Sequence, residues 1–543
     1  MQEKLKDNVK KKVNNTVEKG RDVKVKVGAT VKRGKKGFFS IVFSRFGIVL
    51  LLLAIQFVFV FYWLFQLRDY SLYVYFGSVF ISLLVVIKLL NTYDNPIYTT
   101  AWIIPILILP VFGVTFYIFI QFKFGTRPIA WGLQRTIRET APLLKTDRRI
   151  YRRLETADYD VAGLSRYVER YGGYPTDTNT AVTYFPDGMA KFKQLLIELE
   201  KAEKFIFMEY FIVEEGYMWD TILEILERKV AEGVEVRFMY DGTCSLMKLP
   251  FKYIEKLRAK GLQAKIFSKV YPAVSTRQNS RDHRKITVID GKVAFTGGVN
   301  LADEYINYVE RFGYWKDAAV MLRGDAVRSF TLMFLQMWNI FERPNQEYEK
   351  YLVKQPPIPE ADGFVMGYGD SPLDNENVGE KVYLNMIHSA KRYVHIMTPY
   401  LVLDYEMQQC LEFVAKRGVE VSILLPHIPD KKYVYLLAKT YYKDLIQAGV
   451  HIYEYTPGFV HSKVVVVDDD KAVVGTINMD LRSLYLHFEC AAYLYGCSAI
   501  ADIEKDFRET IEISQEITLE DCRKQGLISR FAGQCLRLLA PLM

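Results

Sequence analysis

Polar and charged residues fill the first positions of the chain, and then apolar residues crowd together. Ile48 to Leu67 holds no charged residue over about 20 positions, enough as a helix to cross roughly 30 Å of hydrocarbon. Leu72 to Leu90 repeats the pattern with one cation, Lys88, near its end, where a long side chain snorkels to the interface. Ala101 to Phe122 is a third such stretch and carries Pro105, Pro110 and Gly113, which a bilayer tolerates when neighbouring helices satisfy the freed carbonyls. Beyond residue 180 the rhythm changes. Short β-branched and aromatic runs alternate with longer amphipathic stretches, the pattern of an α/β fold. The pattern predicts an α-helical membrane segment of two or three helices, followed by a catalytic body of mixed β-sheet flanked by helices.

The body repeats itself. Lys204-Phe-Ile-Phe-Met-Glu-Tyr-Phe-Ile-Val213 has a counterpart in Arg392-Tyr-Val-His-Ile-Met-Thr-Pro-Tyr-Leu401, and Gly233-Val-Glu-Val236 recurs as Gly418-Val-Glu-Val421. Between the copies, Pro356-Pro-Ile-Pro359 cannot join a regular helix and reads as part of a linker. The expected organisation is a basic tail (1–40), a membrane segment (41–125), a first half (126–341), a linker (342–380) and a homologous second half (381–543).

The repeat is sharpest around two histidines. His283-Arg-Lys285-Ile-Thr-Val-Ile-Asp290 precedes Gly297-Gly298-Val-Asn300, and His461-Ser-Lys463-Val-Val-Val-Val-Asp468 precedes Gly475-Thr-Ile-Asn478. Lys, Asp, Gly and Asn follow each histidine at the same offsets, a match that points to a duplicated functional unit. His and Lys two apart at the start of an apolar run are expected on one face of a strand. The run then turns at Asp290-Gly-Lys292 or Asp468-Asp-Asp470 and returns, a hairpin pattern. Two such halves face to face bring two imidazoles, two ammoniums and two amides to one pocket. That set suits a phosphodiester: the lysines and the amides of Asn300 and Asn478 stabilise charge on nonbridging oxygens. One neutral imidazole attacks phosphorus, and the other, protonated, donates to the leaving alkoxide. The sequence does not rank the two. A lone histidine at the edge of a β-run is usually structural, and His388, His395, His427, His451 and His487, which lack this company, are read so.

Composition changes the picture in three places. The net charge of +8 sits in the tail: residues 1–36 hold thirteen Lys/Arg against four acids, leaving the body near neutral. A nuclease needs a basic groove, so a nucleic-acid partner is not expected. The six cysteines show no zinc-type spacing and read as packing residues or as buried thiols of a reducing compartment. No metal is expected either, since the lysines repel a divalent ion and no His/carboxylate cluster has ligand spacing.

These motifs resemble the phospholipase D superfamily, whose duplicated H-x-K-x4-D signature covers most of residues 180–500 here. The resemblance implies a phosphohistidine intermediate without metal or cofactor, a catalytic set of His283, Lys285, Asp290, His461, Lys463 and Asp468, and His283 as nucleophile with His461 as general acid/base. It further implies that Asp290 and Asp468 brace their hairpins, and that a downstream acid orients each histidine, the candidates being Asp317 and Glu489. Asn95-Pro96, Ala101-Trp102, Pro110-x-x-Gly113, Thr398-Pro399-Tyr400 and Gly475-Thr-Ile-Asn478-x-Asp480-x-Arg482-Ser483 are similar to bacterial cardiolipin synthases. The first span and basic tail are additions to that pattern, and Leu401-Val-Leu-Asp404 lacks a proline often found before that aspartate. The implied reaction joins two phosphatidylglycerol molecules into cardiolipin and glycerol. One phosphodiester replaces another, so no nucleotide is needed, and no P-loop or Rossmann glycine signature is present. The rivals are a phospholipase D-type hydrolase, another headgroup-exchanging transferase, and a non-catalytic membrane scaffold.

Location follows from the same features. The expectation is a multi-pass protein of the bacterial plasma membrane. The positive-inside rule favours the cytoplasm both for the tail and for the flank from Lys123 to Arg153, which holds nine Lys/Arg. Three full spans separate those flanks, so one stretch is re-entrant or interfacial if both are cytoplasmic, and a cytoplasmic catalytic body is the preferred arrangement. The tail is either a solvated arm or a lipid-binding helix with Val9, Val13 and Val17 on one face. Arg530 to Met543, apolar and punctuated by arginine, suggests a further helix on the membrane.

Overall fold

The computed structural model describes residues 71–542, apart from 93–95, most of 109–125, 269–279, 345–346 and 375, together with residues 58, 61 and 62. The basic tail and most of the first predicted span lie outside the described residues. Ser71–Leu90 is one helix and Pro96–Ile108 a second, with proline at the first helical position, where its missing N–H costs nothing. Leu89, Trp102, Ile106 and Val114 form a small apolar cluster between them, while Phe76, Phe80, Leu83, Leu84, Leu107 and Ile108 face outward. Taken over the described residues alone, no helix is long and apolar enough to cross a membrane.

The body holds two sheets of one topology. In the first half β1 (Thr180–Phe185), β2 (Phe205–Tyr210), β3 (Glu235–Asp241), β4 (Gln263–Phe267), β5 (Ile286–Ile289), β6 (Val293–Gly297) and β7 (Ala319–Gly324) lie in the order β1-β7-β6-β5-β2-β3-β4. In the second half β8 (Phe364–Asp370), β9 (Tyr393–Met397), β10 (Glu420–Pro426), β11 (Val450–Tyr455), β12 (Val464–Val467), β13 (Lys471–Gly475) and β14 (His487–Tyr495) run β8-β14-β13-β12-β9-β10-β11. Each sheet has a parallel half, β2-β3-β4 or β9-β10-β11, joined through an antiparallel step to a hairpin, β5-β6 or β12-β13. Helices between the parallel strands supply the crossovers.

Period-two alternation decides what each face meets. In β2, Phe205 and Phe207 join one apolar cluster, and Ile206, Met208 and Tyr210 join the other. The first face packs on the helix Val327–Trp338, nearly all of whose residues are buried, and Phe207 stacks on Phe334 with centroids 4.8 Å apart. That helix also meets the second sheet, where Phe330 lies against Gly367 of β8 at a distance that leaves no room for a Cβ. The halves are therefore packed as one core. β8 lies inside the stretch 342–380 expected as a linker. Its two glycines and terminal aspartate mask a strand pattern, while the part around Pro356–Pro359 is coil.

Both hairpins turn on left-handed residues, Asp290 (φ 53°) with Gly291 (φ 64°) and Asp468 (φ 55°) with Asp469 (φ 65°). The Asp290 carboxylate accepts from the backbone N–H groups of Glu203, Lys204 and Phe205 at 2.7 to 2.9 Å. Asp468 accepts from those of Lys391, Arg392 and Tyr393 at 2.6 to 3.0 Å. Each aspartate thus ties its turn to the start of the neighbouring parallel strand. All six cysteines are free thiols; Cys244, Cys410, Cys490 and Cys497 are buried, Cys522 is half-buried and Cys535 is exposed.

Candidate active site

His283 and Lys285 precede β5 rather than lying in it, and His461 and Lys463 precede β12. The cause is a competing partner from the opposite half. Arg281–Asp282 pairs with the start of β14, and the His283 N–H donates to Phe488 O at 2.9 Å. Gly458–Val460 pairs with Tyr314–Lys316, and the His461 N–H donates to Lys316 O at 2.6 Å. Each histidine is thereby drawn out of its own sheet and onto the strand that carries the other half's acid.

The side chains follow. His283 Nδ1 lies 2.9 and 3.0 Å from the two Glu489 oxygens, and His461 Nδ1 lies 2.7 Å from Asp317 Oδ2. A carboxylate accepts, so each Nδ1 bears the proton and each Nε2 keeps its lone pair. Both carboxylates are fully buried and both rings nearly so. Each lysine donates to the carbonyl of its own histidine, Lys285 to His283 and Lys463 to His461, which holds the ammonium beside the ring. Asn300 Oδ1 accepts from the Ile212 N–H at 3.0 Å and its amide donates to Tyr305 Oη at 2.9 Å, while Asn478 Oδ1 is buried without a hydrogen bond. The ten candidate residues divide accordingly: the histidines, lysines, Asp317 and Glu489 come together where the halves meet, the asparagines lie beyond the returning strands, and Asp290 and Asp468 sit at the far ends of the hairpins.

Burial and mutual charge set the protonation states. Burial, then the ammoniums of Lys285 and Lys463, pushes His283 well below the ordinary histidine range. Burial and Lys463, opposed by Asp317, bring His461 to about 4. Burial lowers Lys285 to about 8 against the pull of Glu489, and Lys463 to about 7 against that of Asp317. Two buried lysines and two buried carboxylates thus surround a pair of imidazoles held neutral.

Several contributors carry no signal in the sequence motifs. Thr476 donates its hydroxyl to Glu489. Gly298, at the matching position of the first motif, does the opposite job: a Cβ there would lie 1.9 Å from Asp317 Oδ1. Gly298→Ala is therefore expected to displace Asp317 and lower turnover about 100-fold, since a shift near 1 Å at a positioned group has that effect; steady-state kinetics on purified variant checks it. Behind the first motif, Arg284 pairs with Glu209 at 2.7 Å and with Asp282 at 3.3 Å, all three fully buried; Ser462 stands at this position in the second copy, so the repeat gave no sign of it. His487, read as structural, has its ring 5.4 Å from that of His283. Donors of His283, His487 and Glu489 come within 4.8 Å of one another. Lys285 and Lys463 face the same space and Arg482 already donates to His487, so we assign no metal to it.

Fold and site define an enzyme of the phospholipase D type, and the comparisons with known proteins narrow the class. Residues 195–338 and 383–511 match the family described as "Cardiolipin synthase, PLD-like domain". A cardiolipin synthase of Geobacillus kaustophilus is 37% identical over 473 residues, 86% of this chain and 92% of that protein. Cardiolipin synthase 2 of Bacillus anthracis is 35% identical over 456 residues, 83% and 87% of the two chains. An uncharacterized protein of Streptococcus mutans is 50% identical over 458 residues, 84% of this chain and 99% of its own length. The phosphatidylserine synthase of Haemophilus influenzae shares the fold, with a TM-score of 0.52 and 16% identity over 70% of this chain and 100% of that one. The chain belongs to the cardiolipin synthase family and is a phosphatidyltransferase of the phospholipase D superfamily.

Proposed function

We propose that this enzyme transfers a phosphatidyl group from one phosphatidylglycerol to another, giving cardiolipin and glycerol through a phosphohistidine at His283. The observation that carries the reading is the pair of imidazoles, each anchored at Nδ1 by a buried carboxylate and flanked by a buried lysine. His283, held neutral by burial and by both lysines, presents a lone pair to phosphorus. His461, whose proton Asp317 helps to retain, donates to the departing glycerol oxygen as the P–O bond breaks. The anionic diester offsets the lysine field that lowers His461, so substrate itself favours the protonated acid. In the second step His461 takes the proton from a glycerol hydroxyl of the second phosphatidylglycerol, whose oxygen forms the new P–O bond as His283 leaves. Asn300 and Asn478 complete the polar wall around the phosphate, and Asp290 and Asp468 hold the hairpins in register.

Incubation of purified protein with phosphatidylglycerol alone tests this. Cardiolipin with stoichiometric glycerol is the expected result, and phosphatidic acid as the main product would overturn it. The lysines also fix a pH dependence. Lys463 and Lys285, at about 7 and about 8, carry charge below those values and lose it above them. Affinity for the anionic diester therefore weakens as pH rises, and KM is expected to increase about tenfold between roughly pH 6.5 and pH 9. Initial rates against substrate concentration across that range provide the measurement.

We further propose that the segment 41–125 holds the enzyme in the bacterial plasma membrane through two or three spans, with the catalytic body on the cytoplasmic face. Supporting this are the outward apolar side chains of Ser71–Leu90 and the exposed Leu527, Ile528 and Phe531 of the helix Leu527–Leu539. Tyr98 of the second helix donates to Leu481 O at 3.2 Å and meets Tyr485 edge-on, so that helix sits against the short helix Leu481–Tyr485 that follows Asn478. Protease protection of the C-terminus in sealed inverted vesicles distinguishes the faces: cleavage without detergent agrees with the proposal, and protection contradicts it.

A further inference from the structure

His487 stands outside both motif copies, two residues before Glu489, as Trp315 stands two residues before Asp317. The Trp315 ring lies 5.2 Å from that of His461, and its indole N–H donates to Asp317 Oδ2 at 3.4 Å. Each half-site thus sets a second aromatic ring beside the working imidazole, with a nitrogen near the carboxylate behind it. On one side that ring is an indole, and on the other an imidazole. Arg482 fixes the state of the latter, since its Nε donates to His487 Nε2 at 3.4 Å. Arginine is a donor only, so Nε2 accepts and the ring proton sits on Nδ1. That Nδ1 is buried, makes no hydrogen bond and lies 3.6 Å from Glu489 Oε1.

We propose that His487 is a positioning residue for the nucleophile, its Nδ1–H closing on Glu489 as substrate fills the pocket. The inference rests on the reading of His283 as nucleophile given above. Hydrogen bonds of this kind are often long in an empty site and tighten in the working complex. Glu489 already accepts from His283 and Thr476 and lies in the field of Lys285 and Lys463. A third donor draws further charge from the carboxylate and weakens its hold on an imidazolium. His283 itself faces Lys285, Lys463, His461 and Lys431, and His487 faces Arg482 and His283. All of these but Glu489 are cations or imidazoles, so the carboxylate is the group whose basicity decides how readily His283 protonates.

The test is the pH profile of kcat, which reports groups in the filled site, for cardiolipin formation at saturating phosphatidylglycerol in mixed micelles. Its acid limb reports protonation of His283. In His487→Leu the donor is gone, Glu489 stabilises the imidazolium more, and the limb moves to higher pH by about 0.5 to 1 unit, with kcat down about tenfold and KM within about twofold. His487→Asn, whose amide nitrogen takes the place of Nδ1, returns the limb to within about 0.2 unit of wild type. His487→Phe serves as the second donorless variant should the leucine protein not fold. A limb that stays put in both donorless variants overturns the proposal, as does an asparagine variant shifted as far as they are. Full activity of His283→Ala would instead overturn the nucleophile assignment, a separate failure.

Discussion

Substitution of His283 or His461 by alanine is expected to lower cardiolipin formation by about 10^4-fold each, and the two losses differ in kind. In the proposed mechanism His283 supplies the electron pair, so without it no covalent intermediate forms. In that mechanism His461 supplies and removes protons, so without it a poor leaving group is stranded. A phosphatidyl ester of nitrophenol, whose leaving group needs no proton, separates the roles. His461→Ala is expected to release one equivalent of nitrophenol in a burst and then stall, because the acceptor hydroxyl goes unactivated. His283→Ala shows no burst. The reverse pattern would exchange the assignments, and equal steady turnover in both would remove the shared pocket. The combined variant is expected to lose no more than the His283 variant alone, since residues that act as a unit are not additive.

The second large effect belongs to the carboxylates. Glu489→Gln and Asp317→Asn keep the shape of the side chain but remove the charge that fixes the Nδ1–H tautomer, and each is expected to cost about 10^3-fold. Their effects fall on opposite steps. Glu489 holds His283, so its amide variant slows the nitrophenol burst; Asp317 holds His461, so its variant leaves the burst and slows the decay. Introducing Asp317→Asn into His461→Ala is expected to add less than about threefold, because the imidazole it orients is already absent. A further large drop in that double variant would show that Asp317 acts elsewhere. Pre-steady-state absorbance traces on the four proteins are sufficient.

Much of this site is legible in the amino-acid sequence, and the limits have physical causes. The hairpins were legible because an apolar run, a turn of Asp and Gly, and a returning run are local. The duplication was legible because the same spacing occurs twice. What escaped was everything set by contact between halves. His283 meets an acid 206 residues away and His461 one 144 residues away, and no periodicity encodes such a contact. The same contacts pull the H-x-K residues out of the strands that their spacing predicted. Thr476 was passed over because its counterpart, Gly298, has no side chain to match. His487 was passed over because it lacks a motif's company, although its distance of two residues from Glu489 mirrors that of Trp315 from Asp317.

The exchange of acids between halves bears on how such a molecule arose. A single half contains a histidine, a lysine and an acid, but its acid points away from its own histidine. Alone it could orient nothing. Two identical copies related by a twofold axis would supply each other with the missing carboxylate, so a one-motif ancestor would have worked only as a symmetric dimer. Joined in one chain, the two copies no longer need to match each other. The divergences between the copies, Gly298 against Thr476, Trp315 against His487 and Asp317 against Glu489, all lie beside the two imidazoles, where unlike surroundings allow unlike tasks.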